Sequence, residues 1–597
     1  MRSPVKLSLC LALVAGLMVA PSFAQDAPPV LPEPPAEKLW DWDENDPRIG
    51  LKAGLHDAGE AAKGVTLLAN MPKPVGFRDE VLTGGSVTNS DLAFQGDYAY
   101  IGNYRGFNIY DVSDPSNPSL KTSVICPGGQ GDISVYKNLL FMSVQETRGR
   151  LDCGTQGVEE VVSAERFRGV RIFDISDVAS PTQVGAVQTC RGSHTHTVVS
   201  DPNDDENVYV YVQGTNDVRP KEELAGCSTT RDPNEDANTS YFRIEIIKVP
   251  LAAPETAEIV NMPRIFEQDG NIGGLWQGGD HGAGTQESRL TNQCHDITAY
   301  PAIGLAAGAC AGNGILLDIT DPANPVRIEQ VVDPNFAYWH SATFNNDGTT
   351  VIFTDEWGGG GQARCTENDP HTWGANAIFD LEDGHLTLRG YYKLPVPQTT
   401  LENCVAHNGS IIPVPGRDIK AQAWYQGGMS IFDFTDPDNA FEIGFFDRGP
   451  ISDTAMVSGG YWSTYWHNGQ LYGAEMARGF DIFELIPSEH LTANEIGAAK
   501  LMSMKDFNAQ EQPRLEWPAV PVVAKAYLDQ LVRADAISAG YAATVSLALD
   551  EGRMDELGHA ASALEGAALR SLANGDSRQA DKVRVRLAKV LREIASE

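Results

Sequence analysis

The stretch YRGFNIYDVSDPSNP, residues 104–118, decides the fold because it recurs along the chain. Close copies are GVRIFDISDVASP (169–181), GILLDITDPANP (314–325) and GGMSIFDFTDPDN (427–439). Each copy begins with glycine, continues with a short run of β-branched and aromatic residues, and ends in an aspartate-rich turn that usually contains Asp-Pro. This order of residues predicts a β-strand followed by a tight turn.

Three weaker copies lie at residues 242–250, 375–383 and 478–487, and successive copies are 51 to 74 residues apart. Long repeats of this kind are typical of propellers, solenoids and arrays. Seven copies therefore predict an all-β, seven-bladed β-propeller with four-stranded blades. The seventh copy has no fourth strand after it, so we expect an N-terminal strand at residues 75–82 to complete the last blade and close the ring.

The repeats divide the chain into four segments. Residues 1–24 have a basic start, an apolar run and Ser-Phe-Ala before Gln25, which predicts a secretory signal peptide. Residues 25–72 form a Pro-rich, acidic extension, residues 73–487 the propeller, and residues 488–597 an α-helical C-terminal region. The apolar run of the signal is too short to cross a bilayer. We therefore expect a mature chain without a transmembrane anchor, exported to the periplasm, the cell envelope or the medium.

The formal net charge of −35 limits the partners of the chain. An acidic surface repels nucleic acid backbones and anionic lipids, so nucleic acid binding is not expected. The acidic surface keeps the protein soluble and attracts cations. The last predicted helix is basic, and we expect it to dock on the acidic propeller.

Eight cysteines remain after the signal peptide, an even number that fits disulfide bonds in an oxidising compartment. Proximity in sequence favours four of the many pairings that eight cysteines allow: Cys126–Cys153, Cys190–Cys227, Cys294–Cys310 and Cys365–Cys404. The expected strand order places all eight, together with the longest insertions, on one face of the propeller, which we call the top face. Loops pinned on a rigid scaffold favour a ligand-binding site there.

Aligning the first strand of each repeat places a polar residue at the start of nearly every inner strand. The aligned residues are Asp91, Asp132, His196, Asp296, His340 and His407, with His194 and His295 beside them. Three carboxylates, Glu146, Glu356 and Glu475, stand where second strands end at the same face. Near them, the glycine run at residues 358–361 indicates a flexible lid or tight packing.

Two interpretations of this polar ring remain open. Imidazoles and carboxylates that converge from different strands supply lone pairs to a divalent metal ion. A site of His196, His340, His407 and Glu356, with Glu146 and Glu475 nearby, would suit Zn, Cu, Mn or Fe. Alternatively, these side chains satisfy backbone groups that ring closure buries. The repetition favours this structural interpretation, whereas the restriction of histidine to three blades favours the metal.

The chain resembles the LVIVD-repeat family of exported bacterial proteins. The motifs that carry this resemblance are IYDVSDPSNP, IFDISD, LLDITDPANP and IFDFTDPDN. The resemblance covers about residues 75–487, and the helical residues 491–533 are similar to the tail of one subgroup. It implies a β-propeller fold and export, but no particular reaction. The third and seventh repeats lack Asp-Pro, which leaves the blade boundaries there open.

We therefore expect an exported propeller that binds a small-molecule or protein ligand on its top face, with a metal ion at the hub. If the chain is an enzyme, metal-assisted oxidation or hydrolysis is the class to test first, although the sequence singles out no catalytic residue. The alternatives are a non-catalytic module of the cell envelope that binds protein or glycan, and a purely structural envelope protein.

Overall fold

The computed structural model describes residues 39–78, 87–573 and 579–596. Within these ranges the chain is mostly β, with 32 strands and five α-helices. The expected signal peptide and the Pro-rich start of the extension lie outside the described residues. Among the helices that are described, none is both long and apolar enough to cross a membrane.

Most strands form small antiparallel sheets of consecutive strands. Two strands come first, β1 (Glu60–Lys63) and β2 (Val65–Met71). Sheet 1 contains β3 (Asn89–Gln95), β4 (Tyr98–Asn103), β5 (Gly106–Asp111) and β6 (Ser119–Ile125). Sheet 2 contains β7 (Ile133–Tyr136), β8 (Leu139–Val144), β9 (Gly169–Asp174) and β10 (Thr182–Gln188). Sheet 3 contains β11 (Thr195–Asp201), β12 (Asp204–Gln213), β13 (Glu245–Pro250) and β14 (Glu258–Asn261).

A short hairpin of β15 (Gly279–Asp280) and β16 (Glu287–Ser288) precedes the next sheets. Sheet 4 contains β17 (Asp296–Tyr300), β18 (Leu305–Cys310), β19 (Asn313–Asp318) and β20 (Val326–Val331). Sheet 5 contains β21 (Trp339–Phe344), β22 (Thr350–Asp355), β23 (Asn376–Glu382) and β24 (His385–Tyr392). A nine-stranded sheet, the joined sheet, holds β1, β2 and seven further strands. These are β25 (Asn408–Ile411), β26 (Ile419–Ala423), β27 (Met429–Asp433), β28 (Phe441–Arg448), β29 (Tyr461–His467), β30 (Gln470–Glu475) and β31 (Gly479–Leu485).

The N-terminal strands complete the joined sheet. β2 pairs antiparallel with β31, the third strand of the last repeat, and β1 pairs with β28. A strand from before the first repeat therefore does supply the missing fourth strand, but it is Val65–Met71 and not residues 75–82. Residues 75–78 are a turn, and residues 79–82 lie outside the described residues. The extension expected at residues 25–72 thus contributes two strands to the sheets.

The repeated aspartates form consecutive turns that end the third strands. Asp111 Oδ1 accepts hydrogen bonds from the backbone N–H and hydroxyl of Ser113, at 3.1 and 2.6 Å. Asp114 then accepts one from the N–H of Ser116 at 3.1 Å. The same double turn follows β9, β19 and β27. The recurring D-x-[ST]-D sequence therefore encodes a double Asx turn, which redirects the chain into the fourth strand.

The glycines that open β5, β9 and β31 lie against the fourth strands of their sheets. At Gly106 (φ +141°) an added Cβ would meet the carbonyl oxygen of Val124 at 1.9 Å, and at Gly479 (φ +125°) that of Met71 at 2.1 Å. Only glycine has room at these positions. Met71 belongs to β2. The glycine at residue 479 therefore leaves room for the N-terminal strand that pairs with the last repeat.

Each sheet packs its apolar faces on its neighbours. One hydrophobic cluster joins each pair of successive sheets from sheet 1 to the joined sheet, and another joins the joined sheet to sheet 1. In this last cluster the ring of Phe94 lies 4.7 Å from that of His467 and 4.9 Å from that of Tyr472. The first sheet is therefore buried against the last.

The C-terminal region is helical, as predicted, with α1 (Ala493–Ala499), α2 (Pro521–Arg533), α3 (Ala539–Glu551), α4 (Met554–Ala573) and α5 (Gln579–Ser596). Thr492 and Glu495 form a capping box at α1. Arg586 of the basic helix α5 forms an ion pair with Asp347 beside sheet 5. Other basic side chains of α5 pair within the helical region, including Arg592 with Glu565.

Between α1 and α2, residues 504–517 cross the ends of the inner strands opposite the top face; we call them the floor segment. It includes β32 (Asp506–Asn508), which pairs with β3 of sheet 1. It bonds to every other sheet as well, through Val135, Ser200, Ala299, Phe344, Pro413 and Asn468. The floor segment thus connects all the sheets on the side opposite the top face.

Asn508→Ala tests the floor segment. The Asn508 side chain accepts from the N–H of Val135 and donates to its carbonyl, both at 2.8 Å. Without it two buried backbone groups lose their partners, so we expect a loss of about 2–4 kcal/mol in the free energy of unfolding, measured by urea titration with circular dichroism. Asn203→Ala, in an exposed turn, is the control and should cost less than about 0.5 kcal/mol. Equal stability of the two variants would contradict this role.

Candidate metal centre

A cavity of about 610 Å³ opens where the inner strands begin. Its lining combines the imidazoles of three histidines and the Glu356 carboxylate with the aromatic rings of Tyr104, Tyr338, Tyr425 and Trp462. This volume is within the usual range for small-molecule sites, which lies at about 300–1,000 Å³. The cavity is therefore large enough for a small organic ligand beside the histidines.

Three histidines occupy equivalent backbone positions around this cavity. Each lies directly before an inner strand, and its N–H donates to a carbonyl at the end of the second strand. The three bonds are His194 to Gln213 at 2.9 Å, His295 to Ala309 at 2.8 Å and His407 to Ala423 at 3.0 Å. The sequence alignment had placed His196 and Asp296 at this position. The structure corrects that alignment by two residues in sheet 3 and by one residue in sheet 4.

A fourth histidine, His340, reaches the same place from within β21. The pairing of β21 with β22 shifts register between Trp339 and Ala342, which is a β-bulge around His340. Bulges redirect side chains and occur frequently beside functional sites. The four imidazoles form a row, with centroid separations of 4.4 Å for His194–His295, 3.8 Å for His295–His340 and 4.3 Å for His340–His407.

Glu356 faces this row from the end of β22. His295, His340 and Glu356 each offer one ligand atom, and these atoms lie within 4.8 Å of one another. Glu356 Oε2 is 3.8 Å from His340 Nε2, and Glu356 Oε1 is 3.9 Å from His407 Nε2. Tyr425 Oη donates to Glu356 Oε1 at 2.7 Å and so orients the carboxylate. Two imidazoles and one carboxylate thus converge, with a third imidazole adjacent.

Hydrogen bonds set the tautomers of the flanking histidines. His194 Nδ1 donates to Gln145 Oε1 at 2.5 Å, so His194 Nε2 accepts, at 2.7 Å, from Nε2 of His295. The lone pair of His295 is therefore on Nδ1. His407 Nδ1 donates to the carbonyl of Trp462, which leaves the lone pair of Nε2 on the side of Glu356. Partners of this kind orient metal ligands in proteins.

Burial controls the charges at the site. It lowers the pKa of His295 and of His407 to about 3, and it lowers that of His340 well below the ordinary value, with the neighbouring imidazoles adding to the shift. Burial also raises the pKa of Glu356 to about 7. The imidazoles are therefore neutral at physiological pH and have free lone pairs, the form that binds a metal ion.

His340 is the most unusual member of the row. Its side chain is fully buried, and neither ring nitrogen has a hydrogen-bond partner among the described residues. Buried polar groups in folded proteins are nearly always satisfied, and an exception calls for an ion, a water molecule or a functional role. His340 is therefore the strongest single indication of a ligand at this place.

Several residues expected in the site lie elsewhere. No group of three potential ligands within 4.8 Å, among the residues described, includes His196, Glu146 or Glu475. His196 Nδ1 is 2.8 Å from Ser143 Oγ and 3.0 Å from Asp132. The Glu475 carboxylate accepts from the N–H groups of Gly460, Ala477 and Arg478, because it caps the turn after β30. The half-buried Glu146 does not line the cavity.

Two further aspartates of the expected ring, Asp91 and Asp296, are buried and do not line the cavity. Asp91 accepts from the N–H of Leu92 at 2.9 Å and from Gln510 of the floor segment at 2.8 Å. Burial, together with the charge of Asp132, raises the pKa of Asp296 well above its ordinary value. Both interpretations of the polar ring therefore apply. Some of its members form hydrogen bonds with groups of the surrounding fold, and others line the cavity.

The glycine run at residues 358–361 forms one wall of the cavity. Gly360 has φ +67°, and an added Cβ would meet Tyr425 Oη at 2.4 Å and Glu356 Oε1 at 2.7 Å. Any side chain here would displace the pair that positions the carboxylate. The run is thus explained by tight packing against the site.

The four expected disulfide bonds all form: Cys126–Cys153, Cys190–Cys227, Cys294–Cys310 and Cys365–Cys404. The last of these links the insertion that follows the glycine run to the segment that leads into His407. Backbone bonds of Arg364 and Cys404 at 3.0 Å support the same connection. The disulfide bond therefore fixes the position of the glycine run relative to His407.

The LVIVD repeat model matches residues 85–125 and 165–189. The chain carries LVIVD repeats. The first match spans sheet 1 and the second spans β9 and β10, so the matched residues are the repeated strands and turns. LVIVD repeats are known to form β-propeller structure. The resemblance inferred from the repeated turns is confirmed.

No curated protein matches this chain in sequence. Among solved structures it is similar to hydrazine synthase from Kuenenia stuttgartiensis, with a TM-score of 0.39, 11% identity and coverage of 66% of this chain and 94% of that one. It is also similar to a protein of unknown function from Desulfotomaculum acetoxidans, with a TM-score of 0.35, 10% identity and coverage of 62% and 87%. At these scores the similarity carries no argument about this chain.

His407→Gln tests the state of the imidazoles. The folded chain keeps His407 neutral down to about pH 3, whereas the unfolded chain binds its proton near 6.5. The free energy of unfolding should therefore fall as pH drops from 6.5 towards 3, and the variant should reduce this slope by up to about 1.4 kcal/mol per pH unit. The measurement is chemical denaturation at several pH values in the presence of a chelator. His385→Gln, where the side chain is 77% exposed, is the control; equal slopes for both variants would refute the assignment.

Proposed function

We propose that this LVIVD-repeat protein binds a divalent transition-metal ion in the top-face cavity, through His295, His340 and Glu356, with His407 as a further ligand. The observation that supports this most strongly is the fully buried His340, whose ring nitrogens have no hydrogen-bond partner among the described residues. Leaving such groups unsatisfied costs about 1–3 kcal/mol each. A metal ion on the nitrogen that faces Glu356 would remove much of that cost.

The donor set fits such an ion. Two imidazoles and one carboxylate are the protein ligands of many catalytic zinc sites and of non-haem iron sites, and copper and manganese also accept them. Bonds of about 2.0–2.2 Å place neighbouring ligand atoms roughly 3–4 Å apart. The 3.8 Å between His340 Nε2 and Glu356 Oε2 agrees with that spacing. Zn, Fe, Cu and Mn are the candidates.

The cavity in front of the proposed ion would leave room for a small molecule at an open coordination position. Metal-assisted hydrolysis or oxidation is the corresponding reaction class. Tyr425 would position the Glu356 carboxylate, and the Gln145–His194 pair would hold the tautomer of His295. These residues would act through the ligands, so we assign them positioning roles.

We further propose that the sheets form a closed seven-bladed ring. Two observations support this arrangement. The joined sheet divides into a five-stranded part (β25 to β28 with β1) and a four-stranded part (β29 to β31 with β2), which meet at the short parallel pairing of Asn408 with Ser463 and of Gly409 with Thr464. In addition, the joined sheet packs on sheet 1 through Phe94. With sheets 1 to 5 these two parts give seven blades, and β2 would complete the last one.

Export completes the proposal. Four disulfide bonds fit an oxidising compartment, in agreement with the signal peptide predicted for residues 1–24. We therefore place the protein in the periplasm, in the envelope or outside the cell. In these compartments a bound metal ion would come from the surrounding medium.

Zinc titration of the chelator-treated protein tests the metal site. We expect one ion per chain, followed by calorimetry and by elemental analysis after gel filtration. His340→Ala should weaken binding about 100-fold or more, since it removes a direct ligand. His467→Gln is the matched control, because His467 is equally buried but its Nε2 donates to the Gly96 carbonyl at 2.9 Å. That variant should bind zinc like the unaltered chain.

Two results would count against the metal. Equal zinc affinity of the His340→Ala and unaltered chains would show that the ion binds elsewhere. A protein that is free of Zn, Fe, Cu and Mn after purification, takes up none of them, and still binds a protein or glycan would favour the non-catalytic interaction module. The disulfide-pinned loops of the top face are the feature that such a module would use.

A further inference from the structure

We infer that the cavity binds a small carboxylate anion, held between the proposed metal ion and the guanidinium of Arg289. The inference rests on the proposed metal function and adds the chemical class of the ligand. Three features of the described residues lead to it: the sign of the charge in the cavity, the unpaired state of Arg289, and the aromatic side chains around it.

The charge of the cavity depends on the ion. Its lining contains two acidic side chains, Glu287 and Glu356, and one basic side chain, Arg289. These three side chains carry one net negative charge when both acids are ionised, and a divalent ion would give the cavity one net positive charge. On a chain with a formal net charge of −35, such a cavity attracts anions that the rest of the surface repels.

Arg289 is placed to receive an anion. Its exposed guanidinium lies 5.0 Å from the ring centroid of Tyr338. Within the described ranges no carboxylate forms an ion pair with it, although most other arginines near the top-face loops have an acidic or carbonyl partner. Its backbone N–H is fixed by the carbonyl of Ala337 at 3.2 Å. The Tyr338 ring beneath it lies 5.7 Å, centroid to centroid, from the ring of His295, which places Arg289 one aromatic ring away from a proposed ligand.

The surroundings favour a carboxylate over a phosphate. A planar guanidinium matches a carboxylate through two parallel hydrogen bonds. Phosphate sites typically add lysines or a helix N-terminus, whereas the described lining contains no lysine and the glycine wall leads into no helix. The rings of Tyr104, Tyr338 and Trp462 provide apolar walls for the rest of the molecule. A carboxylate on a small, partly apolar body therefore fits best.

Binding of benzoate to the Co²⁺-loaded protein tests the inference. Cobalt reports on its coordination through its visible absorption, and benzoate combines a carboxylate with an apolar ring. We expect benzoate to perturb the spectrum with saturation, and benzamide and inorganic phosphate to bind at least tenfold more weakly. Arg289→Gln should raise the dissociation constant of benzoate tenfold or more, and Arg289→Lys should raise it less. Arg148→Gln, an exposed arginine outside the lining, should leave it unchanged.

The cobalt stoichiometry separates this inference from the proposed function. One Co²⁺ per chain in Arg289→Gln, with weakened benzoate binding, would support both. One Co²⁺ per chain with unchanged benzoate affinity in that variant, or with phosphate bound more tightly than benzoate, would overturn the anion inference and leave the metal site standing. A chain that binds no Co²⁺ would overturn both, because the positive charge of the cavity depends on the ion.

Discussion

The packing of each four-stranded sheet between two neighbours is the constraint on which the rest of the structure depends. A single sheet of this size has two apolar faces and cannot bury them alone, and here every sheet from the first to the joined sheet is covered by its neighbours. The same packing brings the starts of the inner strands together. Residues far apart in sequence thereby become adjacent, and four histidines from four sheets form one continuous row.

This arrangement places costly polar groups where apolar packing is most extensive. His340 is buried in a bulge without partners, and Glu356 lies in a site that raises its pKa to about 7. Both features reduce stability locally, and the surrounding clusters must offset them. Two features hold the residues around Glu356 in place. Gly360 fits closely against Tyr425 and Glu356, and the Cys365–Cys404 bond holds the adjoining loop.

Features that depend on local sequence could be predicted, whereas features that depend on register or on distant contacts could not. The recurring double Asx turn revealed the repeats, and the capping box of Thr492 and Glu495 revealed the helical region. His340, His407 and Glu356 were expected together, and the structure places them so. His295 was left out of the expected metal site because the repeat alignment placed its neighbour Asp296 at the inner-strand position. Tyr425 gave no signal, since it reaches Glu356 from the turn between β26 and β27.

The floor segment has a consequence for the order in which the protein matures. Residues 504–517 bond to every sheet, yet they are synthesised after all of the repeats. A nascent chain that has emerged only as far as β31 therefore holds the strands of all the repeats, but the ends of its inner strands opposite the top face are still exposed to water. The same is true of the other end of the chain, because β2 must wait for β31. Assembly is thus delayed until the floor segment has been synthesised, and a chaperone that shields the unfinished sheets would have its greatest effect in that interval.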